Sequence, residues 1–317
     1  MNALEVKNLT KTFEVGKTLF TKGQGVKAVR GMSFDVRDGE TLGIVGESGC
    51  GKSTLARMLV GLLPPSEGDI QIEGKVQDKA NPREFGQMIQ YVFQDPISSL
   101  NPRKTIRQII ETPLKRLHGM GKAERGKRIS EIFASVNLRE EFLDRYPHEF
   151  SGGQAQRIGI ARALAAAARI LILDEPVSAL DVSVQAQVLN LLADLKKEFG
   201  LTYLFISHDL AVVEAVSDRV MVLYFGAIVE VGPADAIFKH AKHPYTKLLA
   251  DSAPVVGRAL EAPKQKADEL PDPLNPPKGC PFAKRCIYAT DICETTDPAL
   301  IEMGEDHFAA CHNPIKG

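Results

Sequence analysis

Apolar and polar positions alternate along the chain with two different periods. Residues 3–13 carry the period of two that a strand with one buried face requires. Residues 41–45, 170–173 and 201–207 are short apolar runs, which predict strands covered on both faces, as in a parallel sheet. Between these runs the period lengthens. Residues 52–63 have helical spacing until Pro64 and Pro65 stop it. Val184, Val188, Leu191 and Leu195 fall at i, i+4, i+7 and i+11, with Asp181 as the predicted N-cap and Gly200 as the stop. Residues 94–150 read as helical and more charged, and 219–224 with 227–231 as a hairpin. Strands alternating with helices predict an α/β sheet. The basic, glycine-containing stretch 17–27 reads as a loop between strands, and the proline-rich stretch 254–277 as a linker or loosely wrapped arm.

Length and charge narrow the class. A chain of 317 residues predicts two domains at about 150 residues each. The 39 basic and 40 acidic residues leave a net charge of −1, which argues against nucleic acid as the main partner. No run supplies the ~18 uncharged apolar residues that cross a bilayer, and the first residues lack the basic-then-apolar pattern of a secretory signal. Four of the five cysteines lie beyond residue 279, which is no secreted disulfide framework.

The first candidate chemistry is Gly46-Glu47-Ser48-Gly49-Cys50-Gly51-Lys52-Ser53-Thr54, a G-x-x-x-x-G-K-[ST] loop between a predicted strand and a predicted helix. Its glycines let backbone N–H groups turn inward around a polyphosphate, and the helix N-terminus adds positive potential. Lys52 reaches the β- and γ-phosphates in this reading, and Ser53 offers a hydroxyl to Mg²⁺. Cys50, beside Lys52 and a helix N-terminus, is expected to have a lowered thiol pKa, so that alkylating it blocks ATP binding. The run at 171–175 delivers Asp174 to the carboxyl end of a strand, where ligands bind in open α/β sheets. Asp174 is the candidate Mg²⁺ holder, and Glu175 the candidate base for a water attacking the γ-phosphate. A third segment, Ser151-Gly152-Gly153-Gln154, forms a capping box at the start of an alanine-rich helix. Two glycines in a first turn weaken a helix, which predicts a ligand close to bare backbone.

The ordered series GESGCGKST, VFQDP, FSGGQ, LILDEP, SALD and SHD resembles the ATP-binding-cassette ATPases, the motor subunits of ABC transporters, over residues 4–250. SSLNPRKT at 98–105, RYPHEFSGGQ at 145–154, EPVSALDVSVQAQVLNLL at 175–192 and HPYTKLL at 243–249 look like the ATPase subunits of bacterial dipeptide and oligopeptide importers. The loop around 17–27 looks like the F-type subunit of dipeptide permeases.

The resemblance implies a RecA-like P-loop core within residues 1–253, an inserted helical subdomain at about 95–160, and a small cysteine-containing extension at 254–317. It implies ATP and Mg²⁺ as cofactors and two ATPase domains paired head to tail, each ATP lying between one phosphate loop and the other protomer's Ser151–Gln154 segment. Phe13 matches the aromatic that stacks on adenine, Gln94 the glutamine that senses Mg²⁺ and the attacking water, and His208 the switch histidine on the γ-phosphate. Asp181 matches the end of a loop that crosses the dimer interface, a role compatible with capping. The implied partners are a paralogous ATPase subunit, two transmembrane permease subunits and an extracytoplasmic solute-binding protein, with no nucleic acid. The implied location is the cytoplasmic face of the bacterial inner membrane.

Cys280, Cys286, Cys293 and Cys311 have the spacing C-x5-C-x6-C-x17-C. Structural zinc sites usually have a two-to-four residue gap, and bacterial ferredoxins two-residue steps. Spacing alone therefore leaves metal binding and free thiols both open. The segment GCPFAKRC looks like the extension that carries a [4Fe–4S] cluster in some peptide-importer ATPases, with zinc or no metal as alternatives and His307 and His312 as alternative ligands.

Overall fold

A computed structural model describes residues 1–15, 24–77, 81–252 and 270–316. Most of the stretch at 17–27 and of the proline-rich stretch at 254–277 lies outside these residues. In chain order come β1 (Asn2–Val15), β2 (Gln24–Arg37), β3 (Thr41–Val45), α1 (Lys52–Leu59), β4 (Glu67–Ile72), β5 (Lys75–Val76), α2 (Pro82–Met88) and β6 (Ile89–Val92). There follow α3 (Ile106–Arg116), α4 (Lys122–Ser135), α5 (Gly152–Ala165), β7 (Ile170–Asp174), α6 (Val182–Phe199), β8 (Thr202–Ile206), α7 (Leu210–Val216), β9 (Arg219–Tyr224) and β10 (Ala227–Pro233). The chain closes with α8 (Ala234–Lys239), α9 (Pro244–Ser252), α10 (Asp291–Thr295), β11 (Ile301–Gly304) and β12 (His307–Ala309).

The main sheet has the order β11-β12-β10-β9-β3-β8-β7-β6, parallel from β9 to β6 and antiparallel beyond. The apolar runs form its centre because both faces are covered. On β7, Ile170 and Ile172 pack with Leu55 and Leu59 of α1, while Leu171 and Leu173 pack with Ile158 of α5 and Leu191 of α6. A second, antiparallel sheet, β2-β1-β4-β5, covers the α1 side. Helices α3 to α5 lie between β6 and β7 and share a core that includes Ile106, Ile110, Ile129 and Phe133.

Register places the site. Ile44 of β3 stands opposite Ile206 of β8, and Ile206 opposite Asp174 of β7; Val92 of β6 stands opposite Leu173. The loops leaving β3, β6, β7 and β8 therefore emerge side by side at one edge, the position where open α/β sheets take ligands.

Two expectations need correction. Residues 24–27 belong to β2 rather than to a loop. α1 ends at Leu59, not residue 63, because the chain turns at Gly61 with φ 73° and leaves Leu62 61 % exposed. Beyond the proline-rich stretch, β11 and β12 form a hairpin that joins the main sheet, where β12 pairs with β10. Two polar anchors hold this hairpin. Buried Glu230 of β10 accepts hydrogen bonds from the backbone N–H groups of Lys242 and His243 at 2.6 and 2.9 Å, and its Oε1 lies 2.7 Å from His307 Nε2. Buried Arg219 pairs with Glu40 and with Asp306 between the two strands, both at 3.3 Å.

Candidate active site

The loop from Gly46 to Thr54 joins β3 to α1. Gly51 sits at the helix N-cap with φ 104°, and a Cβ there would stand 2.5 Å from the Ala28 carbonyl, so only glycine fits. Buried Lys52 folds over the loop: its Nζ donates to the carbonyls of Gly46 at 2.6 Å and Glu47 at 3.1 Å. An ammonium held by neutral carbonyls leaves a net positive charge at the mouth of the loop, which suits a polyphosphate.

Cys50 departs from expectation. It is 5 % exposed, and burial raises its thiol pKa more than Lys52, 3.8 Å from Sγ, lowers it. Iodoacetamide at neutral pH should label Cys50 in the folded chain about tenfold or more slowly than in urea, because the thiolate is the reactive species. Equal rates, read by mass spectrometry, would contradict the burial argument.

Three loop residues converge on one another. Gln94, two residues past β6, donates from Nε2 to Glu175 Oε2 at 2.7 Å, and His208, beyond β8, places Nδ1 3.2 Å from Glu175 Oε1. Glu175 has φ 47°, a strained angle for a non-glycine residue, and its N–H crosses to the Ile206 carbonyl at 2.9 Å. Asp209 fixes the turn that carries His208: its carboxylate accepts from the N–H groups of Ala211 and Val212, and its own N–H donates to Ser207 Oγ.

Asp174 lies beside this trio, buried, accepting a hydrogen bond from the Tyr91 hydroxyl and with the Ser53 hydroxyl close enough to favour its charged form. Burial raises its pKa, and the two hydroxyls work against that rise. Tyr91 is pushed well above the ordinary phenol range, first by burial and then by the Asp174 charge, so it remains a protonated donor. The Ser53 hydroxyl in the first turn of α1 and the Asp174 carboxylate at the end of β7 are hard oxygen donors, a set that fits Mg²⁺. Sequence reading missed Tyr91, whose only signal was an aromatic three positions before Gln94 on a buried strand.

The other predicted residues lie elsewhere. Ser151–Gln154 opens α5, where the Gln154 side chain accepts from the Ser151 N–H at 3.1 Å. Among the described residues, this segment makes no hydrogen bond or ion pair to the phosphate loop, Gln94, Glu175 or His208. Gly153 has a packing reason of its own: a Cβ would stand 2.5 Å from Val184 Cγ1 on α6. Gly153→Ala should therefore lower stability by about 1–3 kcal/mol in urea melts, with Val184→Ala restoring part of it; no loss would disprove the contact's importance. Asp181 occupies the N-cap position of α6 without a side-chain capping bond, so its carboxylate is not spent on the helix. Phe13 on β1 is 38 % exposed, with Lys11 Nζ 5.4 Å from its ring centre.

The four later cysteines line one small cavity of about 10 Å³ and form no disulfide. Burial pushes the Cys280 thiol to about 12 and the Cys311 thiol to about 11. The sulfurs receive donors: Cys286 from the Tyr288 N–H at 3.4 Å, Cys293 from Asn313 Nδ2 at 3.5 Å. Among the described residues, no group of three His, Cys, Asp or Glu side chains is placed to hold a single metal ion. His307 is engaged with Glu230, and His312 Nε2 lies 3.0 Å from the Thr296 carbonyl.

A phosphate loop beside a carboxylate held between a glutamine and a histidine, at the carboxyl edge of a parallel sheet, defines a P-loop nucleotide hydrolase. Comparison narrows the class. Residues 29–178 match the family model for ABC transporters, and residues 229–293 the model for the oligopeptide/dipeptide transporter C-terminal region. The chain is 49 % identical to the oligopeptide transport ATP-binding protein AppF of Bacillus subtilis, covering 98 % of this chain and 96 % of that one. It is 47 % identical to the dipeptide transport ATP-binding protein DppF of Haemophilus influenzae, over 98 % and 95 %. Its fold matches the ATP-binding cassette MJ0796, solved as a dimer bound to ADP and Pi, with TM-score 0.65 and 31 % identity over 73 % of this chain and 98 % of that one. The chain belongs to the ABC transporter ATP-binding family, in the branch with the oligopeptide/dipeptide transporter C-terminal region, and it is an ATPase. No helix among the described residues is long and apolar enough to cross a membrane.

Proposed function

We propose that this chain is the ATP-hydrolysing motor of a bacterial importer for dipeptides or oligopeptides, seated peripherally on the cytoplasmic face of the inner membrane. The observation that carries the reading is the Glu175 carboxylate held between Gln94 and His208, next to Ser53 and Asp174. In this reading Lys52 binds the β- and γ-phosphates, and Ser53 and Asp174 hold Mg²⁺, which supplies charge neutralisation during phosphoryl transfer. Glu175 takes the proton of the attacking water, Gln94 orients that water, and His208 contacts the γ-phosphate. Phe13 stacks on adenine. Residues 1–253 form the nucleotide-binding domain and 254–317 the extension.

Ser151–Gln154 and Asp181 serve the neighbouring protomer's ATP, which fits the absence, among the described residues, of hydrogen bonds or ion pairs from them to the phosphate loop. The neighbour is a paralogous ATPase subunit, and ATP closes the pair because the γ-phosphate contacts exist only in the closed state. Hydrolysis reopens it and rocks two transmembrane permease subunits that receive solute from a binding protein. Nucleic acid has no part, given the net charge of −1. Reconstitution with both permeases and the paralogue tests this: peptide-loaded binding protein should stimulate hydrolysis. Full turnover by the isolated monomer, independent of concentration, would overturn the composite site.

The cysteine cavity is read as a [4Fe–4S] site. Four thiols around one cavity, two with N–H donors on sulfur, are chemically suited to iron. Two pKa values held high by burial disfavour bare thiolates there. Cys280, Cys286, Cys293 and Cys311 would hold the cluster, which would brace the extension. Anaerobically purified protein should absorb near 400 nm and yield iron and sulfide; colourless, iron-free protein would refute the assignment.

A further inference from the structure

The geometry points to Arg285 as a positioning residue for the ATP site: from the cysteine-bearing extension it fixes Glu47, and through Glu47 the shape of the phosphate loop. The inference rests on Gly46–Thr54 being the ATP-binding loop. Arg285 Nη1 donates to Glu47 Oε2 at 2.8 Å and Nη2 to Oε1 at 2.9 Å, a fork-to-fork pair between residues 238 positions apart. The Arg285 side chain is 7 % exposed. Its guanidinium lies over the rings of Tyr224 and Phe282, 5.8 and 5.5 Å from their centres, which removes its freedom to swing away.

Glu47 is held a second time, through its backbone: its N–H donates to the Tyr245 hydroxyl at 2.9 Å. Tyr245 packs against Tyr224 and Phe282, so both restraints on Glu47 come from one aromatic cluster. With its N–H and carboxylate so engaged, Glu47 acts on nucleotide through the loop rather than by contact. Its carbonyl is one of the two that orient Lys52 Nζ. A shift of Glu47 therefore displaces the ammonium that meets the phosphates. Arg285 is itself held in a tight turn beside the cysteine-lined cavity, where the N–H groups of Arg285 and Cys286 both donate to the Phe282 carbonyl at 3.0 Å.

The test is a titration of the purified full chain with a fluorescent ATP analogue, for the native protein, R285Q, R285K, E47Q and the double variant E47Q/R285Q. It is run beside thermal melts and steady-state hydrolysis in the assembled transporter. R285Q should weaken analogue binding about three- to thirtyfold and raise KM for ATP, with kcat within about twofold at saturation. R285K keeps the charge without the fork and should recover part of the loss. The double variant should bind no more weakly than R285Q. Unchanged affinity in R285Q with a lowered melting temperature would overturn the proposal, leaving Arg285 only to hold the extension down. Additive losses in the double variant would overturn it too, since Arg285 would then act elsewhere than on Glu47. Should R285Q fail to fold, R285K is judged against E47Q/R285K by the same criteria. A native chain that failed to bind the analogue would overturn the ATP-loop assignment itself.

Discussion

Glu175→Gln should leave ATP binding intact and slow hydrolysis by about 10²–10⁴, the usual worth of a positioned base. The geometry makes this substitution unusually clean. Gln94 donates to one carboxylate oxygen and His208 approaches the other. A glutamine keeps one acceptor and nearly the same shape, so the loop should hold while basicity is lost. The strained φ of 47° is set by the backbone bond to Ile206 and persists in the variant. Single-turnover hydrolysis and analogue binding, measured together, check the split. Near-native turnover would remove Glu175 from the role.

Lys52→Ala should act on binding. Charge-assisted hydrogen bonds contribute about 1.5–3 kcal/mol each, so losing even one phosphate contact should weaken ATP about 10- to 150-fold. A second effect adds to the first. The ammonium also ties together the carbonyls of Gly46 and Glu47, and without it that turn loses its internal strut. Hydrolysis should fall further than affinity, because negative charge builds on the β–γ bridging oxygen as its bond to the γ-phosphoryl group breaks. Native affinity in equilibrium titration would show that the ammonium does not meet phosphate.

Some of this architecture was legible from pattern alone. The run at 41–45 coincides with β3, and 170–173 and 201–207 lie within a residue of β7 and β8, because strands buried on both faces leave no polar interruption. α6 was legible because Gly200 stops it in a left-handed turn with φ 60°. Motif spacing brought Gln94, Asp174, Glu175 and His208 to one sheet edge, since each follows directly from a strand end. The rest depended on tertiary contacts. Tyr91 reads as one more apolar strand position until its hydroxyl is seen on Asp174. The paired glycines after Ser151 suggested an approaching ligand, yet Gly153 is also required by Val184. Cys50 looked activated by its neighbours in sequence, whereas burial, a property of the packed chain, prevails. The bond between Glu47 and Arg285 joins the two ends of the chain and leaves no local trace.

The hairpin β11–β12 has a consequence for how the chain can be divided. β10 is a seven-residue strand with Ile228, Val229 and Val231 buried, and β12 satisfies one side of it. A shortened form ending near residue 253 would expose that row of unpaired amides and carbonyls, a template for another molecule's strand. Such a fragment should precipitate or self-associate although it keeps Gly46–Thr54, Asp174, Glu175 and His208, and it would also lose the hold of Arg285 on Glu47.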